Sequence, residues 1–263
     1  YQSMLQLPVM QRHHVTYWFL RGPGDEAWLQ KQLPELDGVI LSDVRVANLT
    51  PELAAQLRDN PRVISLIPEN EALVPNLITT DNFAGGAMVA RHLVEKGRRR
   101  FLVLGISPGL KSGLFHRRLQ GFAEGVFDSR EIVRLEVLTS DAAADFEEVG
   151  SFLDRETKVA EFDAVYCITD ELAQKVVRVL RERGIAEGEG PEVVGFGGLP
   201  VTWPPEPDLV FTDGIDIEAI ARKIYQLIDQ TRWGNSAPGH YPIPPKIIFT
   251  HSHVTSTERN TES

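Results

Sequence analysis

The stretch from Leu77 to Leu104 fixes the class of fold open to this chain. An apolar strand, Leu77-Ile78-Thr79, runs into Asp81-Asn82-Phe83-Ala84-Gly85-Gly86. Met88-Val89-Ala90-Arg91-His92-Leu93 continue as an amphipathic helix, and Gly97 closes it before Arg98-Arg99 and a new strand. Strands alternating with helices imply parallel sheets with right-handed crossovers. Parallel sheets are covered on both faces, which makes the chain a layered α/β protein.

The rest of the chain repeats that alternation. Apolar strands are read at Val15–Leu20, Gly38–Leu41, Val63–Ile67, Leu77–Thr79, Phe101–Leu104, Val133–Leu138, Ala164–Ile168, Val193–Phe196, Leu209–Phe211 and Lys246–Phe249. Thr50 is placed to cap a helix with Pro51 in its first turn; Leu53, Ala54 and Leu57 form the apolar face, and Asn60-Pro61 ends it. Asp170 is expected to cap a helix carrying Leu172, Val176, Val179 and Leu180 that stops at Gly184. Asp216 opens the longest helix, with Ile217, Ile220, Ala221, Ile224, Leu227 and Thr231 on one face. Phe146, Val149, Phe152 and Leu153 suggest another. So many strands exceed a single sheet of this kind, and two sheets are expected, with a ligand at the C-terminal ends of the strands.

A length of 263 residues suits one large domain or two small ones. No apolar run reaches the roughly 18 residues of a membrane helix, and Tyr1–Met10 lacks a basic start and a cleavage site. The single cysteine, Cys167, lies inside an apolar strand, rules out an internal disulfide and fits a reducing compartment. A formal net charge of −10 opposes nucleic-acid binding by these residues. The one basic cluster, Arg98-Arg99-Arg100, reads as a solvated turn at the negative end of a helix rather than a phosphate contact.

Several phrases, in order, carry a family resemblance. They are Leu36-Asp37-Gly38-Val39-Ile40-Leu41, the Asp81–Arg99 stretch, Arg118-Leu119-Gln120-Gly121-Phe122, Phe162-Asp163-Ala164-Val165 through Thr169-Asp170-Glu171-Leu172-Ala173, and Val193-Val194-Gly195-Phe196. Together with Pro244–Ser252 they resemble the lactose-repressor/galactose-repressor regulators. The span between Val15–Leu20 and Asp37 is similar to the sensor half of xylose-responsive regulators. The resemblance implies two doubly wound parallel-sheet lobes joined by three crossovers, a type I periplasmic-binding-protein-like fold whose first strand is missing. It implies an N-terminal lobe of residues 1–97 with 214–243, a C-terminal lobe of residues 98–213 with 244–256, and a disordered tail over 257–263. It further implies a cytoplasmic homodimer that binds a sugar or anionic metabolite between the lobes, reaches DNA only through a helix-turn-helix absent from these residues, and needs no cofactor, metal, membrane or catalytic chemistry. A periplasmic solute-binding protein of the same fold and an α/β enzyme stand as alternatives.

Arg118 is the first candidate for the site. The resemblance points it at the effector, and a guanidinium presents several fixed donors to oxygens. His116 lies on the same expected loop. Thr169, Asp170 and Asp43 follow strands and are expected to orient the ligand, with helix capping the plainer role for Asp170. Gly197 stands where many sugar-binding relatives carry an aspartate. Its lost carboxylate leaves sugar hydroxyls without an acceptor, so a sugar, a differently posed sugar or an anion all stay open. Gly195-Phe196-Gly197-Gly198 lacks dinucleotide spacing and a following helix start. His251 and His253 share a strand face, but no further metal ligands stand at motif spacing.

Overall fold

The computed structural model describes residues 14–16, 18–42, 44–66, 70–106, 113–130, 132–140, 150–151, 153, 159–185, 189–197, 209–213, 216–232 and 238–249. In chain order its main elements begin with α1 (Pro23–Gln32), β1 (Val39–Leu41), α2 (Pro51–Asp59), β2 (Val63–Ser65) and β3 (Asn76–Thr80). Then come α3 (Asn82–Glu95), β4 (Arg100–Ile106), α4 (Gly113–Asp128), β5 (Arg134–Ser140), β6 (Ala164–Cys167) and α5 (Asp170–Glu182). The last are β7 (Glu192–Phe196), β8 (Leu209–Asp213), α6 (Ile217–Arg232), β9 (Gly239–Ile243) and β10 (Lys246–Phe249).

The chain forms two compact units, Tyr1–Thr80 with Asp216–Ile243, and Asp81–Ile215 with Pro244–Ser263. The first boundary therefore precedes α3 instead of following Gly97. The reason is packing: α3 lies backbone to backbone on α4. A Cβ at Gly86 would sit 2.0 Å from the carbonyl oxygen of Arg118, and one at Gly121 would sit 2.0 Å from that of Phe83. Gly125 meets Ala87 and Ala90 in the same seam. Only glycine allows helices to approach so closely.

The first unit holds a four-stranded parallel sheet in the order β1-β2-β3-β9. Leu53 and Leu57 of α2 pack with Leu29, Val39, Leu41 and Val63. Ile220, Ala221, Ile224 and Leu227 bury one stripe of α6, the face that its periodicity predicts. Each of the isoleucine and leucine side chains contributes about 1.5–3 kcal/mol by leaving water. Thr50 stands at the start of α2 but its hydroxyl does not cap it; it donates to Oε2 of Glu26 at 2.7 Å, alongside its own backbone N–H at 2.9 Å. The strand expected at Val15–Leu20 does not form among the described residues of that segment. Trp18 there stacks on Trp28 of α1 at 3.7 Å, so its apolar character serves ring packing instead of a sheet. The helix expected from Phe146, Val149, Phe152 and Leu153 lies largely outside the described residues, and the tail expected over 257–263, Tyr1–His13 and the His251/His253 pair lie wholly outside them.

The second unit holds a six-stranded sheet in the order β10-β8-β7-β6-β4-β5. All neighbours are parallel except β10, which runs antiparallel to β8 at the edge. Successive residues of β4 and β6 enter opposite cores. Leu102, Leu104, Val165 and Cys167 pack with α5. Phe101, Val103, Ala164 and Tyr166 pack with α3 and α4. Both faces are thus dry, as parallel strands require. The arginine run at the end of α3 is committed internally. Arg98 and Lys96 bond Glu192, Arg99 donates to the Val94 carbonyl at the helix end, and Arg100 pairs with Asp163.

Candidate functional site

At the C-terminal ends of β6 and β7, in the second unit, several buried polar groups meet. Arg118 reaches them from α4, so its segment is helix and not the expected loop. Its Nε donates to Oδ1 of Asn82 at 2.6 Å and its Nη1 donates to the Ile168 carbonyl at 2.6 Å. The guanidinium lies 3.9 Å from the Phe196 ring centroid and 5.1 Å from that of Phe115. Stacking on an aromatic face and fork-shaped donation are both properties of arginine that lysine lacks. Nη2 makes no hydrogen bond among the described residues, leaving donors for an incoming oxygen. Burial pulls the guanidinium down to about 10, and the negative ends of Tyr166 and Asp170 oppose that pull. It is a cation at neutral pH.

Each partner is held in turn. Asp81 caps α3 by accepting from the Ala84 N–H at 2.9 Å, which places Asn82 in the first helical turn. Thr169 caps α5: its hydroxyl accepts from the Leu172 N–H at 3.2 Å. Asp170, expected as the cap, is instead the first helical residue, 4% exposed. The cap shifts by one because the strand-to-helix turn leaves Thr169 in extended backbone, the conformation an N-cap requires.

Gly197 has φ +152°, a conformation that favours glycine, and a Cβ there would stand 2.8 Å from Oδ2 of Asp170. A Cβ on Gly195 would stand 2.5 Å from Oδ1 of the same carboxylate. The space a side chain at 197 would enter is therefore filled by Asp170. Gly85 is constrained in a similar way: a Cβ on it would strike the Phe196 ring at 2.3 Å.

Four of the six residues expected from sequence, Arg118, Thr169, Asp170 and Gly197, fall in this one neighbourhood. His116 does not join them. It is exposed, because two residues along a helix turn a side chain to nearly the opposite face. Asp43 lies outside the described residues. Sequence reasoning missed Asn82, Phe196 and Tyr166 as site residues. Tyr166 is fully buried, its ring stacks on Phe122 at 4.6 Å, and its hydroxyl makes no hydrogen bond among the described residues. Burial drives its phenol, and the neighbouring Cys167 thiol, well above their usual ranges, which leaves the thiol without nucleophilic character. The signal for Asn82 and Phe196 was present, in the Asp-Asn and Gly-Phe-Gly phrases. Nothing in the sequence marks Tyr166 apart from an ordinary strand aromatic. Among the described residues no cluster of three His, Cys, Asp or Glu side chains is arranged to hold a metal, and no helix is long and apolar enough to cross a membrane.

Residues 90–252 match the family model described as a periplasmic binding protein-like domain. The chain is 26% identical over 230 residues to the arabinose metabolism transcriptional repressor of Halalkalibacterium halodurans, a match covering 82% of this chain and 60% of that protein. It is 21% identical over 226 residues to the HTH-type transcriptional regulator DegA of Bacillus subtilis, covering 83% and 64%. The chain thus spans less than two thirds of these relatives. Among solved structures, a periplasmic binding protein/LacI transcriptional regulator from Alkaliphilus metalliredigens complexed with D-xylulofuranose is 20% identical. Its TM-score is 0.66, with 94% of this chain and 90% of that one covered. A LacI family regulator from Arthrobacter sp. FB24 in complex with lactose is 19% identical, with a TM-score of 0.68 and 95% and 91% covered. At such identities these structures are similar in fold, two α/β units with parallel sheets.

Proposed function

Because this chain belongs to the periplasmic binding protein-like domain family, we propose that it is the effector-sensing part of a bacterial transcriptional regulator of the LacI type. In this reading a small polar metabolite binds at Arg118 in the second unit, and binding biases a DNA-binding module that lies outside these residues. The observation that carries the reading is the state of Arg118: a half-buried guanidinium, fixed by Asn82, Ile168 and Phe196, with Nη2 left for a ligand. Part of the donor set holds the guanidinium in place and the rest remains for a ligand, as a preorganised binding group requires. The relatives' names support a regulator over a transport protein or an enzyme. Among the described residues the site shows no nucleophile-and-base pairing of the kind that acyl or phosphoryl chemistry needs.

In the same reading the protein works in the cytoplasm as a homodimer, since two-fold operators are read by two-fold proteins. Sugars are the first ligands to try, because D-xylulofuranose and lactose occupy two neighbours of similar fold. The test is a thermal-shift series with D-xylulose, ribose, arabinose, lactose and trehalose on the wild-type protein and on Arg118→Ala. A rise in Tm with at least one sugar that vanishes in Arg118→Ala is expected. A rise that persists unchanged in the variant refutes the anchor role, and no rise with any sugar refutes the sugar-sensing reading.

A further inference from the structure

Strand β5 ends the six-stranded sheet on one side, and among the described residues no strand pairs with its outer edge. Its seven residues, Arg134–Ser140, contain no proline or glycine. The edge strand β9 of the other sheet, by contrast, carries Pro242. A long edge without such an interruption offers a row of backbone groups to another strand. The Arg134 N–H donates inward, to the Arg99 carbonyl just ahead of β4. Backbone direction alternates along a strand, so Leu135 and Val137 turn their N–H and C=O groups outward.

Side chains alternate as well. Leu135 and Val137 share the face that α4 covers, where Leu135 packs against the core that holds Phe122 and Val126. Apolar surface stays uncovered along this side. Val137 is 41% exposed, Val133 at the entry to the strand 72%, and Phe127 in the last turn of α4 60%. Arg134 and Glu136 share the opposite face and pair with each other, while Arg134 also meets Glu161 at 2.9 Å.

We propose that β5 joins two copies of this chain, paired antiparallel about a two-fold axis at Leu135. In that register Leu135 faces the partner's Leu135, Val133 faces the partner's Val137, and Arg134 faces the partner's Glu136. Charge singles the register out. A slide of two residues one way sets Arg134 against the partner's Arg134; two residues the other way sets Glu136 against the partner's Glu136. A slide of one residue meets outward-facing backbone groups with inward-facing ones. At Leu135 the four charges alternate in a square, each guanidinium flanked by two carboxylates and each carboxylate by two guanidiniums. Opposite charges across a strand pair stabilise it and like charges oppose it. On the other face, the valines that one copy leaves exposed cover each other. The contact gives the proposed regulator a two-fold assembly that does not involve Arg118, so the sugar test and the assembly test fail separately.

Sedimentation velocity of the full chain at micromolar concentration is expected to show a dimer. Glu136→Arg sets arginine against arginine across the axis, and Arg134→Glu sets glutamate against glutamate. Each should weaken the dimer about ten-fold or more, since the symmetry repeats every change twice. An equimolar mixture of the two variants restores opposite charges and should dimerise as wild type does, which also shows that both variants fold. Leu135→Cys should cross-link on mild oxidation, because the facing Cα atoms stand about 5.5 Å apart, within disulfide range. Val133→Cys should not, since its own copy lies roughly 14 Å away along the partner strand. The native Cys167 is buried and takes no part. A monomeric wild type overturns the proposal. So does a dimer that neither charge reversal weakens, a loss that mixing does not restore, or cross-linking of Val133→Cys in preference to Leu135→Cys.

Discussion

Asn70 in the first unit and Arg118 in the second are both polar groups drawn into the interior, and they are used differently. Asn70 is fully buried, and both ends of its amide are engaged. Oδ1 accepts from the Val46 N–H at 2.8 Å, while Nδ2 donates to the Val44 carbonyl at 2.7 Å and to Oγ of Ser65 at 3.0 Å. Asn70 fastens a loop to a sheet. Arg118 is half-buried and fixed by two bonds and a ring, yet retains donors. The lesson is that burial of a polar group does not separate scaffold from site. What separates them is whether the group's capacity is used up by its own chain.

The contrast can be broken most severely through the scaffold beneath Arg118. Gly121→Val forces a branched side chain into the Phe83 carbonyl, and should cost about 3 kcal/mol or more in urea unfolding while abolishing any sugar response. A fully stable Gly121→Val would show that the α3–α4 seam is looser than its glycines indicate. Next in size, Asn70→Ala should cost about 2 kcal/mol by stranding a buried N–H and carbonyl, and should leave ligand affinity unchanged. Arg118→Ala should show the opposite balance, and equal effects of the two on binding would erase the distinction.

The smallest effect concerns acid. Burial of Asp163 raises its carboxyl, but bonds from the Arg100 side chain and from the Arg99 and Arg100 backbone N–H groups outweigh it, so the net shift is downward. A depressed carboxylate stabilises the fold at pH above its unfolded value, near 3.9, and loses that contribution as pH falls through the folded value. Asp163→Asn should therefore be less stable than wild type at neutral pH, with the gap closing below about pH 4. A gap that stays constant on acidification would assign the loss to packing instead.

Sequence pattern revealed the parts of this fold whose physics is periodic. The strands from Gly38 to Phe249 that the apolar runs marked are present, with ends shifted by a residue or two, because two-faced burial demands continuous aliphatic residues. Helix α1 escaped because only Trp28 and Leu29 interrupt a polar stretch, so no apolar stripe exists to find. Its signals are Pro23 in the first turn and the acids Asp25 and Glu26 beside the helix N-terminus. Strand β9 escaped because Pro242 sits inside it; an edge position tolerates the missing donor. In the site, motif residues were legible and their partners were not. Arg118 and Gly197 stand in recognisable phrases, whereas the use of Gly197 as room for Asp170 depends on two segments meeting in space.

Strand β9 and helix α6 join a sheet whose other strands lie more than a hundred residues earlier. On a ribosome, strands β1 to β3 therefore emerge without the strand that covers β3, and wait until the second unit's first five strands have been made. Until then the open side of β3, with Leu77 and Ile78, is a sticky edge of the kind that recruits other chains. Closing so long a loop also slows folding, since the entropy of bringing distant segments together is lost before their contacts form. A fold whose first sheet is completed from so distant a segment thus gains its architecture late, and is most vulnerable to aggregation before β9 arrives.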